Sequence, residues 1–370
     1  MKIGVIGAGR LGICFALLLE QAGYEVIVSD CRADYVIGLN NRIINTNEPE
    51  VADLLDDAKN FVAVLDNVEV IKQSDIIYTL VATPSLADGS YDVSAVWKVI
   101  DDIQSCEFPL NNKSFVVGCT TNPGDCELFQ TQLNPYGVDV YYNPEFIAQG
   151  SIVKDLRNAD MVLIGGGGQH LNDIKEIYSK IQVVEPHVYT MSTTAAELVK
   201  LAVNCFLTTK ISYANMVGEV MTLAGLETEI DTVLKAIGAD TRVGSKYLKY
   251  GYGFGGPCLP RDNRSFAAYA KKLGLEYNLG VTTDEFNNEH ARFLMEYFTK
   301  KNEKNLPFCF HYISYKEGTD ILTESQQYRL CLDLLDQGYK VYVVEDYVKS
   351  QCDDRIIFGI PCEEVFWIDL

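Results

Sequence analysis

One cysteine of the chain, Cys258, stands in a setting that suits a nucleophile. It lies in the run GFGGPCLPRD, residues 253–262, among glycines and prolines and three residues before Arg261. A helical pattern over 261–273 follows, and a helix N-terminus and a nearby cation both stabilise a thiolate. Glycines let the backbone approach a ligand closely, because they carry no Cβ. The run predicts a reactive cysteine in a binding loop; the alternative is a tight turn that merely contains a cysteine.

The first 30 residues have the pattern of a dinucleotide-binding turn. An apolar run, 3–6, leads into GAGRLG at 7–12 and then into a helical pattern over 13–22. Gly7 permits the tight turn, Gly9 admits a pyrophosphate, and Gly12 lets helix and strand pack closely. A second predicted strand, 24–29, ends at Asp30, whose carboxylate suits the adenosine ribose and repels a 2′-phosphate. The pattern favours NAD over NADP, although Arg32 nearby argues the other way.

Composition narrows the class of protein further. The chain has 370 residues, which suggests two or three domains, and its net charge of −20 makes nucleic acid and anionic membranes poor partners. Its 11 cysteines show no CxxC or zinc spacing and its 4 histidines are isolated, so we expect no metal site and interpret the histidines as structural. We expect reduced thiols in a cytoplasmic protein, with no signal peptide and no membrane span.

The order of the predicted elements indicates an α/β fold. Short apolar strands alternate with helical stretches up to about residue 189, which predicts a Rossmann-type, mostly parallel sheet with helices on both faces. The stretch 30–75 is interpreted as mostly helical, and 192–225 as one long helix. The last 70 residues read as a short α/β unit. We therefore predict an NAD-binding domain at 1–191, a central helical and dimerisation domain at 192–300, and a small nucleotide-sugar-binding domain at 301–370.

Several further motifs carry a resemblance to a known family. The chain resembles the UDP-glucose/GDP-mannose dehydrogenases over nearly its whole length, and most closely their UDP-glucose 6-dehydrogenase branch. Beside the glycine turn, the matching stretches are VATP at 81–84, TTNPG at 120–124, NPEFIAQG at 143–150, ELVKLAVN at 197–204, GFGGPCLPRD at 253–262, and YK at 315–316 followed by TD at 319–320.

The resemblance implies a set of functional residues. It implies a catalytic group of Cys258, Lys200, Asn204, Asp262, Glu145 and Thr121. It implies cofactor contacts by Gly7, Gly9, Arg10, Leu11, Gly12, Asp30, Thr83, Thr121, Gln149 and Arg261. It implies substrate contacts by Glu145, Phe146, Ile147, Gln149, Lys200, Asn204, Arg242, Tyr247, Tyr250, Gly251, Gly255 and Lys316.

The resemblance also implies a reaction, the four-electron oxidation of a UDP-sugar. UDP-glucose would become UDP-glucuronate at the expense of two NAD, through a thiohemiacetal and a thioester on Cys258. Lys200 and Asn204 lie four residues apart in a helical pattern, so both face the same way. The family positions imply that this pair binds the reacting oxygen, and a homodimer is expected.

The chain departs from the family pattern at a few positions. Gln149 replaces a glutamate and cannot take up a proton, Thr323 and Met161 replace arginines, Pro257 replaces a serine, and Arg261 replaces a lysine. GDP-mannose and a UDP-amino-sugar are alternative substrates, because the loops that select base and sugar carry no recognisable pattern. The chain could also be a pseudoenzyme, which binds NAD or a nucleotide sugar without turnover, or a hydroxyacid dehydrogenase that transfers only two electrons.

Overall fold

A computed structural model describes residues 1–370, which form two compact units, Met1–Lys200 and Leu201–Leu370. The first unit contains eight strands: β1 (Lys2–Ile6), β2 (Glu25–Ser29), β3 (Phe61–Val64), β4 (Ile76–Thr79), β5 (Ser114–Val117), β6 (Asp139–Tyr142), β7 (Met161–Gly165) and β8 (His187–Met191). Its helices are α1 (Arg10–Gln21), α2 (Ala33–Asn40), α3 (Val51–Asp57), α4 (Asn67–Gln73), α5 (Ser94–Gln104), α6 (Asp125–Leu133), α7 (Ile152–Arg157) and α8 (Leu171–Ile181).

The eight strands form one sheet in the order β3-β2-β1-β4-β5-β6-β7-β8, and every pair is parallel except β6 with β7. Most of these strands are apolar and buried along their length, because helices cover both faces. Helices α1, α7 and α8 contribute to the core of one face, and α4, α5 and α6 to that of the other. Chain order reverses between β1 and β4, and open α/β sheets bind ligands outside the strand ends at such a point.

The second unit combines long helices with a small sheet. A 31-residue helix, α9 (Thr193–Leu223), begins in the first unit and continues into the second. It is followed by α10 (Ile230–Ala239), α11 (Leu259–Lys272), α12 (Leu279–Lys301), β9 (Phe308–Phe310), α13 (Gln326–Asp336), β10 (Val341–Val343), β11 (Ile357–Phe358) and β12 (Phe366–Trp367). The last four strands form a parallel sheet in the order β11-β10-β9-β12, which packs with α12 and α13 around one apolar core.

The predicted α/β architecture is confirmed. The predicted long helix is α9, and Ser192 precedes it and accepts a hydrogen bond from the Ala195 amide, as a capping residue does. Both edge strands of the sheet lie outside the predicted strands: β8, and Phe61–Val64, which pairs with β2 inside the stretch interpreted as mostly helical. The four residues of Phe61–Val64 are too few for periodicity to separate strand from helix. None of the helices is both long enough and apolar enough to cross a bilayer. The predicted boundaries near 191 and 300 stay predictions.

Candidate active site

The glycine turn between β1 and α1 has the geometry that a dinucleotide needs. Gly7 has φ +96°, and a Cβ there would lie 2.8 Å from the carbonyl oxygen of Leu80. A Cβ on Gly12 would collide with the Gly7 carbonyl oxygen, so both positions require glycine. A Cβ on Gly9, by contrast, would meet nothing within 4 Å, which leaves open space over the N-terminus of α1. The backbone amides there suit a pyrophosphate, so these residues fit a bound dinucleotide.

The end of β2 carries the predicted ribose carboxylate. Arg32 Nε and Nη2 donate to the two oxygens of Asp30, each at 2.8 Å. Burial raises the pKa of Asp30, but the hydrogen bonds from the Arg32 side chain and backbone outweigh it, and the net pKa is lowered. Asp30 is therefore ionised at neutral pH. The Arg32 guanidinium lies 4.0 Å from the centre of the Tyr35 ring, a cation–π contact that the sequence pattern did not predict.

Gln149, one of the departures from the family pattern, is hydrogen-bonded to Arg10, a predicted cofactor residue. Arg10, the first residue of α1, donates from Nη1 to Oε1 of Gln149 at 3.3 Å. An amide oxygen can accept this bond in the same geometry as a carboxylate oxygen, but without the charge that strengthens a bond from a guanidinium. Two other predicted cofactor residues of this unit, Leu11 and Thr83, are half-buried. Leu11 follows the glycine turn in α1, and Thr83 lies in the segment after β4.

Thr121, a predicted catalytic and cofactor residue, lies in the interior of the first unit. Its side chain is fully buried, and its hydroxyl donates to Oε1 of Glu197 on α9 at 2.8 Å. The same carboxylate accepts from the amides of Gly124 and Cys126 at the start of α6. Burial raises the pKa of Glu197, and the hydrogen bonds, which lower it, do not offset this effect. Glu197 thus links the beginning of α9 to the N-terminus of α6 by hydrogen bonds, and Thr121 belongs to this hydrogen-bond network.

A partly buried acid–base group follows β6. Glu145 Oε1 lies 2.5 Å from the hydroxyl of Tyr178 on α8, which is also 2.7 Å from Oδ1 of Asn143. Lys200 Nζ donates to the main-chain oxygen of Glu145 at 2.8 Å and lies 4.7 Å from the ring centre of Phe146. Burial raises the pKa of Glu145 to about 7, although the Tyr178 hydrogen bond and the Lys200 charge lower it. A carboxyl group that titrates near neutral pH suits proton transfer.

Replacing Tyr178 by phenylalanine should shift this titration to higher pH. The lost hydroxyl donates to the carboxylate and so favours its ionised form, and the pKa of Glu145 should rise by about one unit. The measurement is the pH profile of kcat/KM between about pH 5.5 and pH 9. Tyr78→Phe is the matched control, because that buried hydroxyl has no hydrogen-bond partner. A profile that Tyr178→Phe leaves in place would contradict this role.

The predicted nucleophile lies at the N-terminus of α11. Cys258 is the residue before the helix, and its carbonyl oxygen accepts the amide of Asp262 at 2.9 Å. It is one of three exposed cysteines, with Cys31 and Cys362, among 11 that form no disulfide. Burial instead raises the pKa of Cys14 and of Cys119 to about 12. Exposure and the helix N-terminus thus distinguish Cys258 from the buried thiols.

Asp262 and Asn204 form a pair in the second unit. Asn204 Nδ2 donates to Oδ2 of Asp262, and both side chains are buried. Lys200 and Asn204 are one turn apart on α9, as their spacing predicted. An interpretation of Lys200 as a solvated surface lysine does not hold, because it is 9% exposed.

Three glycines of the run at 253–262 have no room for a side chain. A Cβ would collide with Asn287 at Gly253, with the Glu324 carbonyl oxygen at Gly255, and with the Tyr315 ring at Gly256. Gly256 also has φ +82°, which L-residues rarely adopt. The glycines therefore serve close packing as much as ligand approach.

Gly256→Ala should destabilise the fold by about 2 kcal/mol or more, because strain and collision add at this position. Urea unfolding followed by circular dichroism measures the change. Gly251→Ala is the control in the same loop: a Cβ there meets nothing within 4 Å, and its φ is not positive. Equal stability of the two variants would show that the site relaxes at no cost.

Asparagine side chains hold the cysteine loop, by which we mean residues 247–258. Asn215 on α9 accepts the Gly251 amide at 3.1 Å and donates to the Tyr252 carbonyl oxygen at 3.3 Å. Asn287 on α12 makes both main-chain bonds of Phe254, each at 2.9 Å. The sequence pattern did not identify either asparagine, because isolated polar residues in helical patterns carry no distinguishing signal.

The remaining predicted residues are more dispersed. Arg242 has a side chain that is 87% exposed and is paired with Asp240. Tyr247 and Lys316 are exposed, whereas the Tyr250 ring packs into α9 beside Gly218. The half-buried positions are Phe146, Ile147, Gly251, Gly255 and Arg261, of which Arg261 Nη1 donates to the Pro257 carbonyl oxygen at 3.5 Å. The structure thus brings together Glu145, Phe146 and Lys200 in one unit, and Asn204 and Asp262 in the other.

Comparison with known proteins matches this arrangement to one family. Residues 1–182 match the NAD binding domain of the UDP-glucose/GDP-mannose dehydrogenase family, and residues 194–289 match its central domain. The UDP-glucose 6-dehydrogenase TuaD of Bacillus subtilis is 32% identical over 78% of this chain and 63% of its own length. The UDP-glucose 6-dehydrogenase AglM of Haloferax volcanii is 27% identical over 92% of this chain and 82% of its own.

Solved structures give the same picture. A UDP-glucose dehydrogenase from Pyrobaculum islandicum superposes with a TM-score of 0.87 at 26% identity, over 97% of this chain and 86% of that one. A UDP-D-ManNAc dehydrogenase from Pyrococcus horikoshii has the same fold, with a TM-score of 0.79 at 23% identity, over 94% and 84% of the two chains.

Proposed function

Because the chain belongs to the UDP-glucose/GDP-mannose dehydrogenase family, whose members are NAD-dependent nucleotide-sugar dehydrogenases, we propose that its substrate is UDP-glucose and its product UDP-glucuronate. The observation that carries the proposal is the exposed thiol of Cys258 at the N-terminus of α11, one turn from the buried Asp262–Asn204 pair. Relatives named UDP-glucose 6-dehydrogenases that align over most of the chain support the choice of sugar.

The dinucleotide is held by the first unit. The open backbone at Gly9 and the N-terminus of α1 suit the pyrophosphate, and Asp30 suits the adenosine ribose. When bound, NAD supplies a hydride acceptor for each of the two oxidations. Arg10 and Gln149 lie beside this turn and are proposed to contact the cofactor.

Cys258 divides the oxidation of the C6 alcohol into two parts. The alcohol first loses a hydride and a proton and becomes an aldehyde. The Cys258 thiolate then adds to the carbonyl carbon while the carbonyl oxygen takes up a proton, and the resulting thiohemiacetal loses a second hydride and that proton to give a thioester. Water attacks the thioester carbon, the C–S bond breaks, and the carboxylate and the thiolate are released. Holding the aldehyde on sulfur prevents its escape between the two oxidations.

The remaining polar groups act on oxygens and protons. Lys200 and Asn204 are proposed to donate hydrogen bonds to the C6 oxygen as negative charge develops on it. Asp262 holds the Asn204 amide in position through its hydrogen bond. Glu145, with a pKa of about 7, is proposed to accept the proton of the C6 hydroxyl and later that of the attacking water. Thr121 is proposed to position the start of α9 through Glu197.

The nucleotide diphosphate needs cations in a chain of net charge −20. Lys316, exposed on the loop after β9, and Arg242, on the loop after α10, are proposed to contact it. Tyr247, Tyr250, Gly251 and Gly255 would line the sugar nucleotide from the cysteine loop, and Phe146 and Ile147 from the segment after β6. Arg261 is proposed to contact the cofactor.

A homodimer is proposed from the surface of α9. Phe206, Tyr213, Val220 and Leu223 are 62%, 46%, 61% and 79% exposed, and the first three are seven residues apart. Such a spacing places these side chains on one stripe of the helix, which a second copy would cover. The 11 cysteines, none of them in a disulfide, support the proposed cytoplasmic location.

The test is the ratio of NADH formed to UDP-glucose consumed, measured by absorbance and chromatography under single-substrate limitation. The proposal requires two NADH for each sugar and UDP-glucuronate as product. GDP-mannose and UDP-N-acetylmannosamine in parallel assays decide the nucleotide and the sugar. A ratio of one would favour a two-electron dehydrogenase, and NAD binding without turnover on any of these substrates would favour a pseudoenzyme.

A further inference from the structure

Glu48, in the loop between α2 and α3, is a buried carboxylate that holds the segment after Glu145. It is only 8% exposed, and its two oxygens accept main-chain amides 102 and 104 residues further along the chain. Oε2 accepts from Gly150 at 2.8 Å, and Oε1 accepts from Ile152, the first residue of α7, at 2.5 Å. A buried carboxylate is costly unless its oxygens are hydrogen-bonded, so this arrangement fixes both partners.

The bond to Gly150 also determines the orientation of Gln149. The peptide unit between these two residues is planar, so the N–H of Gly150 and the C=O of Gln149 lie in one rigid plane. Gly150 has φ +85°, which L-residues rarely adopt, and the Ser151 amide closes the turn by donating to the Ala148 carbonyl oxygen at 3.2 Å. Glu48 thus fixes the turn that carries Gln149.

The loop that carries Glu48 also lies against α1, the helix of the glycine turn. Burial and, after it, the charge of Glu48 raise the pKa of the Cys14 thiol on α1 to about 12. Glu50 Oε2 accepts from Arg157 Nη1, at the end of α7, at 2.6 Å, and Arg157 Nη2 donates to Gln21 Oε1, at the end of α1, at 2.9 Å. The loop therefore contacts both ends of α7, and Arg157 joins it to α1.

The proposed acid–base residue of the same segment is held by separate contacts. The Tyr178 hydroxyl is hydrogen-bonded to the Glu145 side chain, and Lys200 Nζ donates to the Glu145 main-chain oxygen. Neither contact involves Glu48. We therefore expect loss of the Glu48 carboxylate to act on Gln149 rather than on Glu145.

We infer that Glu48 is a positioning residue for the dinucleotide, because its two amide bonds hold Gln149 where Arg10 donates to it and where both side chains meet the cofactor. The inference rests on the proposed cofactor contacts of Arg10 and Gln149. Without the carboxylate, the amides of Gly150 and Ile152 lose their acceptor, and the turn no longer has one fixed orientation. NAD then binds less tightly, since it has to order this turn as it binds.

The test is the dissociation constant of NAD, measured by calorimetry on the full chain without any sugar. Glu48→Ala should raise this constant about tenfold. Glu48→Gln should raise it about threefold, because the amide oxygen serves one main-chain N–H while the amide nitrogen faces the other.

Glu20→Ala is the matched control in the same unit. Glu20, at the end of α1 away from the glycine turn, also accepts two main-chain amides, those of Lys59 and Asn60, each at 2.9 Å. Its removal costs the same number of main-chain bonds but leaves the turn at Gln149 intact. The dissociation constant of NAD should therefore change less than about twofold.

A double-mutant cycle separates a role through Gln149 from a general loss of structure. Gln149→Ala alone should raise the dissociation constant about tenfold, and Glu48→Ala should then add less than about twofold. Effects that multiply to about a hundredfold, or a dissociation constant of Glu48→Ala equal to that of Glu20→Ala, would overturn the inference. Circular dichroism checks that each variant is folded, and Glu48→Gln takes the place of Glu48→Ala in the cycle if the alanine variant is not.

The result is independent of the sugar, because NAD binding is measured without it. If Gln149→Ala leaves the dissociation constant unchanged, the proposed contact of Gln149 with the cofactor is wrong, and the inference fails with it. If Gln149→Ala weakens binding and Glu48→Ala does not, the inference alone is wrong. In turnover, Glu48→Ala should raise the KM for NAD about tenfold and change kcat at saturating NAD less than about twofold.

Discussion

Cys258→Ser lowers the steady-state rate of NADH formation from UDP-glucose by about 10³-fold or more. Serine has the same shape, but its alkoxide is scarce near neutral pH, so the aldehyde is not captured for the second oxidation. The expected residual signal is at most one NADH for each sugar bound, from the first oxidation. Stopped-flow absorbance separates this first turnover from the steady state.

The control for the cysteine variant is Cys362→Ser. That thiol is also exposed but lies in the C-terminal segment between β11 and β12. Its replacement should leave both the rate and the ratio of NADH to sugar unchanged. Sustained formation of two NADH for each UDP-glucose by Cys258→Ser would remove the thioester step from the proposed mechanism.

Glu145→Gln should lower kcat by about 10² to 10³-fold and abolish the pH dependence of the reaction near pH 7. The pKa of Glu145, raised to about 7 by burial, means that the group is neutral below that pH and ionised above it. As a base it acts only when ionised, so the activity of the unmodified protein rises with pH through about 7. The amide variant cannot accept a proton and should show a flat profile in this range.

Glu145→Gln, which should lower activity, should at the same time increase the stability of the fold at high pH. A carboxyl whose pKa is higher in the folded chain than in the unfolded one binds more protons in the folded state between pH 4.5 and about 7. The free energy of unfolding therefore decreases as pH rises through this window. Glu145→Gln should be more stable than the unmodified protein at pH 8, and this advantage should shrink near pH 4.

Thermal unfolding at the two pH values measures the stability difference. Glu176→Gln is the control, since that exposed glutamate pairs with Lys180 on the surface of α8. It should leave both the pH profile and the unfolding temperature nearly unchanged. If the activity of Glu145→Gln still rose with pH through about 7, the pH dependence would belong to another group.

Local sequence patterns predicted most strands of the large sheet and the helices that carry the proposed site residues. The glycine turn, the Asp30 strand end and the start of α11 depend on neighbours within a few residues, so periodicity and glycine spacing suffice. The short edge strand Phe61–Val64 was missed because its identity depends on pairing with β2, which is not a local property.

The supporting contacts of the site were not accessible from the sequence. Tyr178 is 33 residues from Glu145, and Asn287 is 33 residues from Phe254. Tyrosines on amphipathic helices are usually core residues, and nothing local indicates which hydroxyl meets a carboxylate. His290 was interpreted as structural; its contact with Glu219 spans 71 residues and becomes evident only in the folded chain.

The contrast between the three exposed thiols and the six buried ones, with Cys106 and Cys352 in between, offers a practical way to count active enzyme molecules. A mild alkylating reagent such as iodoacetamide reacts with thiolates, and the buried cysteines, with Cys14 and Cys119 near pKa 12, are shielded from it. Protection of one alkylated site by a saturating sugar nucleotide, read by mass spectrometry, would titrate the active centres in a preparation. Rates could then be expressed per functional centre, and the same thiol would be an anchor for covalent inhibitors.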